Sequence, residues 1–192
     1  HFEEGQGTLL SLWIPYWVIN KSSLDFSASQ RFRMKQRAPR GQTDPPPVLF
    51  SGKQISLDVV AGERVVEVQP VDVETAASHG VITAQTERSM FEFGVRIFSA
   101  PSKYWRTKIV QFDDRYVLVN MTDHKLSINQ VGTDHELCLE PNTQVPFFWK
   151  IAHPVEGEGS DMKRRHQDAA VLTEKLVRIK VSEDGWHWSG AF

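Results

Sequence analysis

Hydrophobic and polar residues alternate along short stretches of the chain, and almost no stretch shows the spacing of an amphipathic helix. In residues 91–98 the apolar residues occupy positions 91, 93, 95 and 97, whereas Glu92, Gly94 and Arg96 lie between them. Successive side chains of a strand point to opposite faces of its sheet, so this alternation is typical of a strand with one buried face. The pattern therefore predicts an all-β protein.

The predicted strands are runs of apolar and β-branched residues bounded by Gly, Pro, Asn or Asp. They cover residues 9–19, 25–34, 55–60, 64–68, 80–85, 90–98, 107–112, 116–119, 125–131, 136–139, 145–149, 174–181 and 185–192. Residues 35–47 and 152–170 are predicted to form long polar loops. Residues 162–172 have fair helix propensity but a thin apolar face, so they are interpreted as either loop or a short surface helix.

An internal repeat divides the chain. Residues 16–30 align without a gap on residues 116–130, an offset of 100 residues. Each copy is an apolar strand that ends in Asn, followed by a polar turn and a second strand that ends in Gln. The identical pairs are Tyr16 and Tyr116, Asn20 and Asn120, Ser27 and Ser127, and Gln30 and Gln130. The repeat predicts two tandem β-sandwich-like modules of antiparallel strands, residues 1–112 and residues 113–192, the second of them truncated at its C terminus.

Asn20 and Asn120 stand where an Asn side chain closes an Asx-turn, by accepting a hydrogen bond from a backbone amide two residues on. Ser22 and Thr122 supply a hydroxyl nearby in each copy. The same Asn-x-Ser/Thr tripeptides would be glycosylation acceptors in a secreted chain. The absence of a signal-peptide pattern and the position at the end of an apolar strand favour the turn.

Composition narrows the functional classes. The chain has 192 residues, of which 40% are hydrophobic and 24% are charged, and its formal net charge is -2. Such a small charge gives no field that would attract nucleic acid. No apolar run reaches the roughly 18–20 residues of a transmembrane helix. The single cysteine, Cys138, excludes an internal disulfide and fits a reducing compartment. Because the chain begins at His1 without a signal-peptide pattern, we expect it to be part of a longer protein.

Four segments resemble the adaptor-binding repeats of the vacuolar protein sorting-associated protein 13 family: residues 13–22, 107–120, 144–149 and 186–192. The resemblance implies β-sandwich modules of a long, rod-like lipid-transfer protein that bridges two membranes. It also implies that Asn20 and Asn120 are the repeat-defining residues for structure or adaptor binding, with Tyr16, Tyr116, Gln30 and Gln130 in support. The implied partners are adaptor proteins with Pro-x-Pro segments, which would place the protein in the cytoplasm, peripherally on organelle membranes and membrane contact sites.

A basic stripe forms a second candidate site. Arg31, Arg33, Lys35 and Arg37 alternate with other residues, so in a strand all four charges project from one face. Such a face would suit weak contact with an anionic membrane, each charge contributing about 1 kcal/mol. The other interpretation is a solvated edge strand that its charges protect from aggregation.

Enzymatic chemistry finds little support in the sequence. It contains no nucleophile elbow, no zinc-protease motif, no Cys-x-x-Cys and no Gly-rich phosphate loop. The chain is therefore predicted to be a non-enzyme, with no cofactor and no metal. Trp186 and Trp188, two residues apart, are predicted to fill the core rather than to bind a sugar.

Three functions remain. The first is recruitment, in which an exposed strand edge binds a Pro-x-Pro adaptor segment by strand addition. The second is a structural spacer that orients a neighbouring binding repeat. The third is a carbohydrate-binding sandwich that uses exposed tryptophans.

Overall fold

A computed structural model describes residues 12–28, 32–34, 47–74, 78–151 and 175–192. Strands form almost all the regular structure of this part of the chain, together with one 3-10 turn at Ser102–Tyr104. The all-β prediction is confirmed. No helix within the described ranges has the length and apolar character needed to cross a membrane.

The strands are numbered in chain order: β1 (Tyr16–Asn20), β2 (Asp25–Ala28), β3 (Phe32–Met34), β4 (Val48–Phe50), β5 (Gln54–Ile55), β6 (Leu57–Ala61), β7 (Arg64–Glu67), β8 (Val71–Asp72), β9 (Ser78–Gln85), β10 (Ser89–Ser99), β11 (Lys108–Asp114), β12 (Val117–Val119), β13 (Leu126–Gln130), β14 (Glu136–Leu139), β15 (Gln144–Pro146), β16 (Trp149–Lys150) and β17 (Val177–Val181).

The largest sheet has six strands in the order β16-β10-β11-β1-β4, with β9 also paired to β10. β1 and β11 run parallel, with Tyr16 opposite Lys108 and Asn20 opposite Phe112. The other pairings of this sheet are antiparallel. β11 is therefore an interior strand between β10 and β1.

The main core lies between this sheet and a four-stranded sheet in the order β3-β2-β6-β7. Phe26 of β2 is fully buried and places its ring 5.0 Å from Phe93 of β10 and 5.2 Å from Phe112 of β11. Each buried aromatic ring removes roughly 150–250 Å² from water, so these contacts supply much of the core's hydrophobic stabilisation. The alternation of residues 91–98 is realised, since positions 91, 93, 95 and 97 are buried.

The C-terminal half repeats the strand pairing of the N-terminal half. β12 pairs antiparallel with β15, as β1 does with β4. β13 lies between β14 and β17, as β2 lies between β3 and β6. The final segment runs beside β17, where Ser189 N donates to Ile179 O at 2.8 Å. That segment occupies the place that β7 takes beside β6.

The division into modules at residue 112 stays a prediction. β11 continues to Asp114, and β16 pairs with β10, so both halves contribute strands to the six-stranded sheet.

Several strand predictions are corrected. Residues 25–34 form an antiparallel pair, β2 and β3, with Phe26 opposite Met34, and not one strand. Residues 145–149 divide between β15 and β16, which belong to different sheets. Residues 185–192 are not assigned as a strand, and the short strands β4 and β8 were not predicted. The long loops and the helix candidate lie outside the described residues, except Pro47 at the end of the first loop.

Candidate functional site

The Asn20 turn joins β1 to β2 and is closed by the Asn20 side chain. Its Oδ1 accepts from Ser22 N at 3.0 Å and from Ser22 Oγ at 2.7 Å. Its Nδ2 donates to Leu24 O at 2.7 Å. Asn20 and Ser22 are both buried, so these bonds satisfy polar groups that water does not reach.

The Asn120 turn has the same geometry. Asn120 Oδ1 accepts from Thr122 N at 3.0 Å and from Thr122 Oγ1 at 2.8 Å, and Nδ2 donates to His124 O at 2.8 Å. The same Nδ2 also reaches Leu139 O at 3.1 Å and Glu140 O at 3.0 Å, next to the end of β14. The predicted Asx-turn is confirmed at both asparagines. Their amides are thus already bonded to the backbone of their own chain.

The supporting residues of the second copy contact β16, a strand of their own half that pairs with β10 of the other half. Gln130 is 1% exposed, and its amide donates to Lys150 O and accepts from Lys150 N, each at 2.7 Å. Its side chain therefore pairs with β16 as a neighbouring strand would. Tyr116 is half-buried against Trp149, with ring centroids 5.6 Å apart. Tyr16 is buried beside Phe50, and Gln30 lies outside the described residues.

The basic stripe is described only in part. Arg33 belongs to β3, which forms one edge of the four-stranded sheet. Arg31, Lys35 and Arg37 lie outside the described residues. Both interpretations of the stripe, weak contact with an anionic membrane and a solvated edge strand, stay predictions.

Neither of the two tryptophans that were predicted to fill the core is fully buried. Trp186 is 58% exposed, because its segment lies beside β17 without a second layer over it among the described residues. Trp188 is half-buried, with Lys180 Nζ 4.7 Å and the Arg178 guanidinium 5.0 Å from its ring centroid. The core prediction is therefore wrong for Trp186.

The equivalent strands β1 and β12 differ at one edge. Both edges of β1 are paired, by β4 and by β11. β12 pairs with β15 alone, and no other described strand lies along its second edge. The sequence predicted an exposed strand edge but did not indicate which strand has it, because the strands that pair here lie far apart in sequence.

Two hydrogen bonds at the ends of the β12–β15 ladder show in which direction the N–H and C=O groups of each β12 residue point. Asn120 N donates to Thr143 O at 2.8 Å, and Phe147 N donates to Tyr116 O at 3.0 Å. Residues with even numbers therefore face β15, and the N–H and C=O groups of Val117 and Val119 face the open edge. These two valines are 45% and 55% exposed.

A surface cavity of about 290 Å³ adjoins β12, between the Asn20 turn and β15. It is lined by Lys21, Ser22, Ser23, Asp113, Asp114, Val117, Gln144, Val145 and Pro146. Asp114 accepts from Ser23 N at 3.0 Å and from Ser23 Oγ at 3.0 Å. Burial raises the pKa of the Asp114 carboxyl, and the Ser23 bonds oppose that shift. The cavity thus has one polar wall and one apolar wall beside the open strand.

No group of three His, Cys, Asp or Glu side chains in the described ranges is placed to hold a metal ion. The candidate site consists of a strand edge, two exposed valines and a cavity, an arrangement suited to binding an extended peptide.

Comparison with known proteins identifies relatives of one kind. The family whose sequence model matches residues 1–155 is described as "Vacuolar-sorting associated protein 13, adaptor binding domain". The chain is 26% identical over 155 residues to the intermembrane lipid transfer protein VPS13A of Mus musculus, covering 77% of this chain and 5% of that protein. It is 24% identical over 112 residues to the intermembrane lipid transfer protein vps13D of Dictyostelium discoideum, covering 58% of this chain and 2% of that protein.

A third relative is the intermembrane lipid transfer protein VPS13 of Chaetomium thermophilum, 23% identical over 163 residues, which cover 76% of this chain and 5% of that protein. The chain thus spans only a small part of the length of these curated relatives.

Proposed function

Because the chain belongs to the vacuolar-sorting associated protein 13 adaptor binding domain family, we propose that it is a non-catalytic recruitment module. It consists of two tandem repeat units and binds extended Pro-x-Pro segments of adaptor proteins by strand addition. The observation that carries the proposal is the open edge of β12, whose counterpart in β1 is filled by the parallel strand β11.

The β1–β11 pair provides the template for the bound peptide. Lys108 N donates to Pro15 O at 2.8 Å, and Lys21 N donates to Phe112 O at 2.7 Å. In a parallel ladder, alternate residues bond to the same neighbour, so positions 108, 110 and 112 of β11 face β1. Positions 109 and 111 bond to the strand on the other side. A peptide seated on β12 in this register needs N–H groups only at alternate positions.

A Pro-x-Pro segment meets this requirement. With its prolines at the places equivalent to 109 and 111, the missing N–H groups face away from β12 and no ladder bond is lost. The middle residue then donates its N–H to Val117 and accepts from Val119. Residues that lie opposite each other in a ladder point to the same face of the sheet. In the template, Trp17 lies opposite Ile109 and Ile19 lies opposite Gln111. Trp17 and Ile19 correspond to Val117 and Val119 in the repeat. Each proline ring therefore packs beside one exposed valine, Val117 or Val119.

Titration calorimetry with a Pro-Ala-Pro peptide tests the proposal. We expect saturable binding, and loss of that binding when the middle residue is replaced by proline, which removes the required N–H. A Val119→Pro variant should abolish binding with little loss of stability, since its N–H faces the open edge. Val65→Pro is the matched control, because Val65 is exposed on the edge strand β7 and its N–H also points outward.

Equal affinity for the triple-proline peptide would contradict strand addition, because that peptide docks only as a polyproline helix. Unchanged binding by the Val119→Pro variant would contradict the choice of β12. Circular dichroism of both variants separates these outcomes from failure to fold.

A second candidate function is a structural spacer that orients a neighbouring repeat. The observation in its favour is the Asn120 side chain, whose donors and acceptor are bonded to its own backbone and hydroxyl neighbours. In this role Asn variants lower the melting temperature without changing peptide affinity well below that temperature. The recruitment role and the spacer role both place the protein in the cytoplasm, peripherally on organelle membranes at contact sites. In support, a relative is named an intermembrane lipid transfer protein.

A further inference from the structure

A second exposed surface lies on the turn that joins β10 to β11, at the end of β11 opposite to Asp113 and Asp114 of the cavity. This turn contains Tyr104 and Trp105, which are 45% and 65% exposed. Lys103, Arg106 and Lys108 surround them, and no Asp or Glu occurs between positions 100 and 112. Large aromatic side chains exposed beside cations are a feature of interaction surfaces.

The turn is held in one conformation. Ala100 N donates to Thr107 O at 2.8 Å, Thr107 N donates to Tyr104 O at 2.8 Å, and Thr107 Oγ1 donates to Ile14 O at 2.7 Å. Ala100 and Thr107 are buried at its base. Ser102 has a φ of 54°, a left-handed conformation that costs free energy in a residue other than glycine. The fold therefore presents Tyr104 and Trp105 outward on a rigid support.

The aromatic surface continues onto the face of the six-stranded sheet. The ring of Trp17 lies 5.0 Å from that of Tyr104. Trp17 is opposite Leu49 on β4 and Ile109 on β11, and Ile109 is opposite Phe98 on β10. Opposed residues point to the same face, and Leu49 and Phe98 are exposed. An apolar row thus crosses four strands beneath the turn, exposed at Leu49 and Phe98, half-buried at Trp17 and buried at Ile109.

The cations lie along the aromatic rings. Lys103 Nζ is 5.3 Å from the ring centroid of Tyr104, and the Arg106 guanidinium is 5.0 Å from that of Trp105. Asp113, the nearest acid along β11, is paired with Arg96 at 3.0 Å, toward the opposite end of the strand. The positive charge of the turn is therefore not neutralised by that carboxylate.

We propose that this turn and the adjoining sheet face are a docking surface for a bilayer containing anionic phospholipids. Trp and Tyr rings favour the boundary between headgroups and acyl chains, and Lys and Arg bind the anionic headgroups. An acidic peptide fits less well at the turn, because the strands next to it, β10, β11 and β1, are interior strands and offer no free backbone groups for strand addition. Of the four strands that the apolar row crosses, only β4, at the far end of the row, is a terminal strand of the described sheet. The bilayer needs only the side chains that the turn exposes.

Co-sedimentation with vesicles tests the proposal. The protein should bind vesicles of phosphatidylcholine mixed with phosphatidylserine, bind pure phosphatidylcholine weakly, and dissociate as salt is raised. Each Lys or Arg near an anionic surface strengthens partitioning about fivefold, so the Lys103→Gln/Arg106→Gln double variant should bind about 25-fold more weakly. Trp105→Ser should also reduce binding. Trp186→Ser is the matched control, because Trp186 is similarly exposed elsewhere and its variant should bind as the wild type does.

Three outcomes overturn the proposal: no binding to either kind of vesicle, equal loss of binding in the Trp186→Ser control, or turn-dependent binding of polyglutamate without vesicle binding, which assigns the surface to an acidic protein. The double variant should bind the Pro-Ala-Pro peptide normally, so the membrane and peptide results are read independently. Thermal melting of each variant shows whether it is folded.

Discussion

Asn20 and Asn120 show how one residue type specifies a local structure. In both turns the Asn Oδ1 accepts from the backbone and hydroxyl of the residue two positions on, and the Nδ2 donates to the carbonyl four positions on. The predicted Asx-turns depend only on neighbours in sequence. By contrast, the bonds from Asn120 to Leu139 O and Glu140 O join it to β14, and no local pattern indicated them.

Replacement of Asn120 by Ala should lower the free energy of unfolding by about 2–4 kcal/mol, because several buried backbone groups lose their partners together. Denaturant unfolding measures the change. Met121→Ala, at the neighbouring and 85% exposed position, is the control and should change stability by less than about 0.5 kcal/mol. A loss for Asn120→Ala as small as that of the control would show that the turn does not depend on this amide.

At the scale of the strand, β1 and β12 have the same sequence pattern, and each has an antiparallel neighbour, β4 or β15. Among the described strands, only β1 has a second neighbour, β11. The existence and approximate position of most strands followed from alternation, which is set by the geometry of the strand itself. The split of residues 25–34 did not, because the pairing of Phe26 with Met34 was not signalled by Gly, Pro, Asn or Asp between them.

Amide hydrogen exchange should distinguish the two edges of β12. The N–H of Leu118 faces β15 and should exchange slowly, whereas those of Val117 and Val119 face the open edge and should exchange fast. Saturation with the Pro-Ala-Pro peptide should slow exchange at Val119 and leave Leu118 unchanged. Protection of Val119 in the free protein would show that another segment already covers this edge.

At the scale of the whole molecule, contacts between residues far apart in sequence join the halves. Gln130 bonds to the backbone of β16, which pairs with β10, and Ser23 bonds to Asp114. Lys175 Nζ lies 2.6 Å from Glu92 Oε2, and Glu92 is buried. These contacts predict that the halves unfold together.

Lys175→Met should test this connection. It leaves the buried Glu92 carboxylate without its partner and should cost about 1–2 kcal/mol, less than a fully buried pair because Lys175 is partly exposed. Lys125→Met is the control, since the Lys125–Glu140 pair is exposed on both sides and its loss should not measurably change stability. Two separate unfolding transitions in a calorimetric scan would contradict the joint unfolding of the halves.

The alternation of residues and the hundred-residue repeat were sufficient to predict the strand content and the paired asparagine turns, because each depends on residues that are neighbours in the chain. The parallel partner of β1, the open edge of β12, the pairing of Gln130 with β16 and the exposure of Trp186 were decided by the assembled sheets. Strand neighbours and burial depend on contacts between distant segments, and side-chain periodicity is the same whether an edge is paired or free.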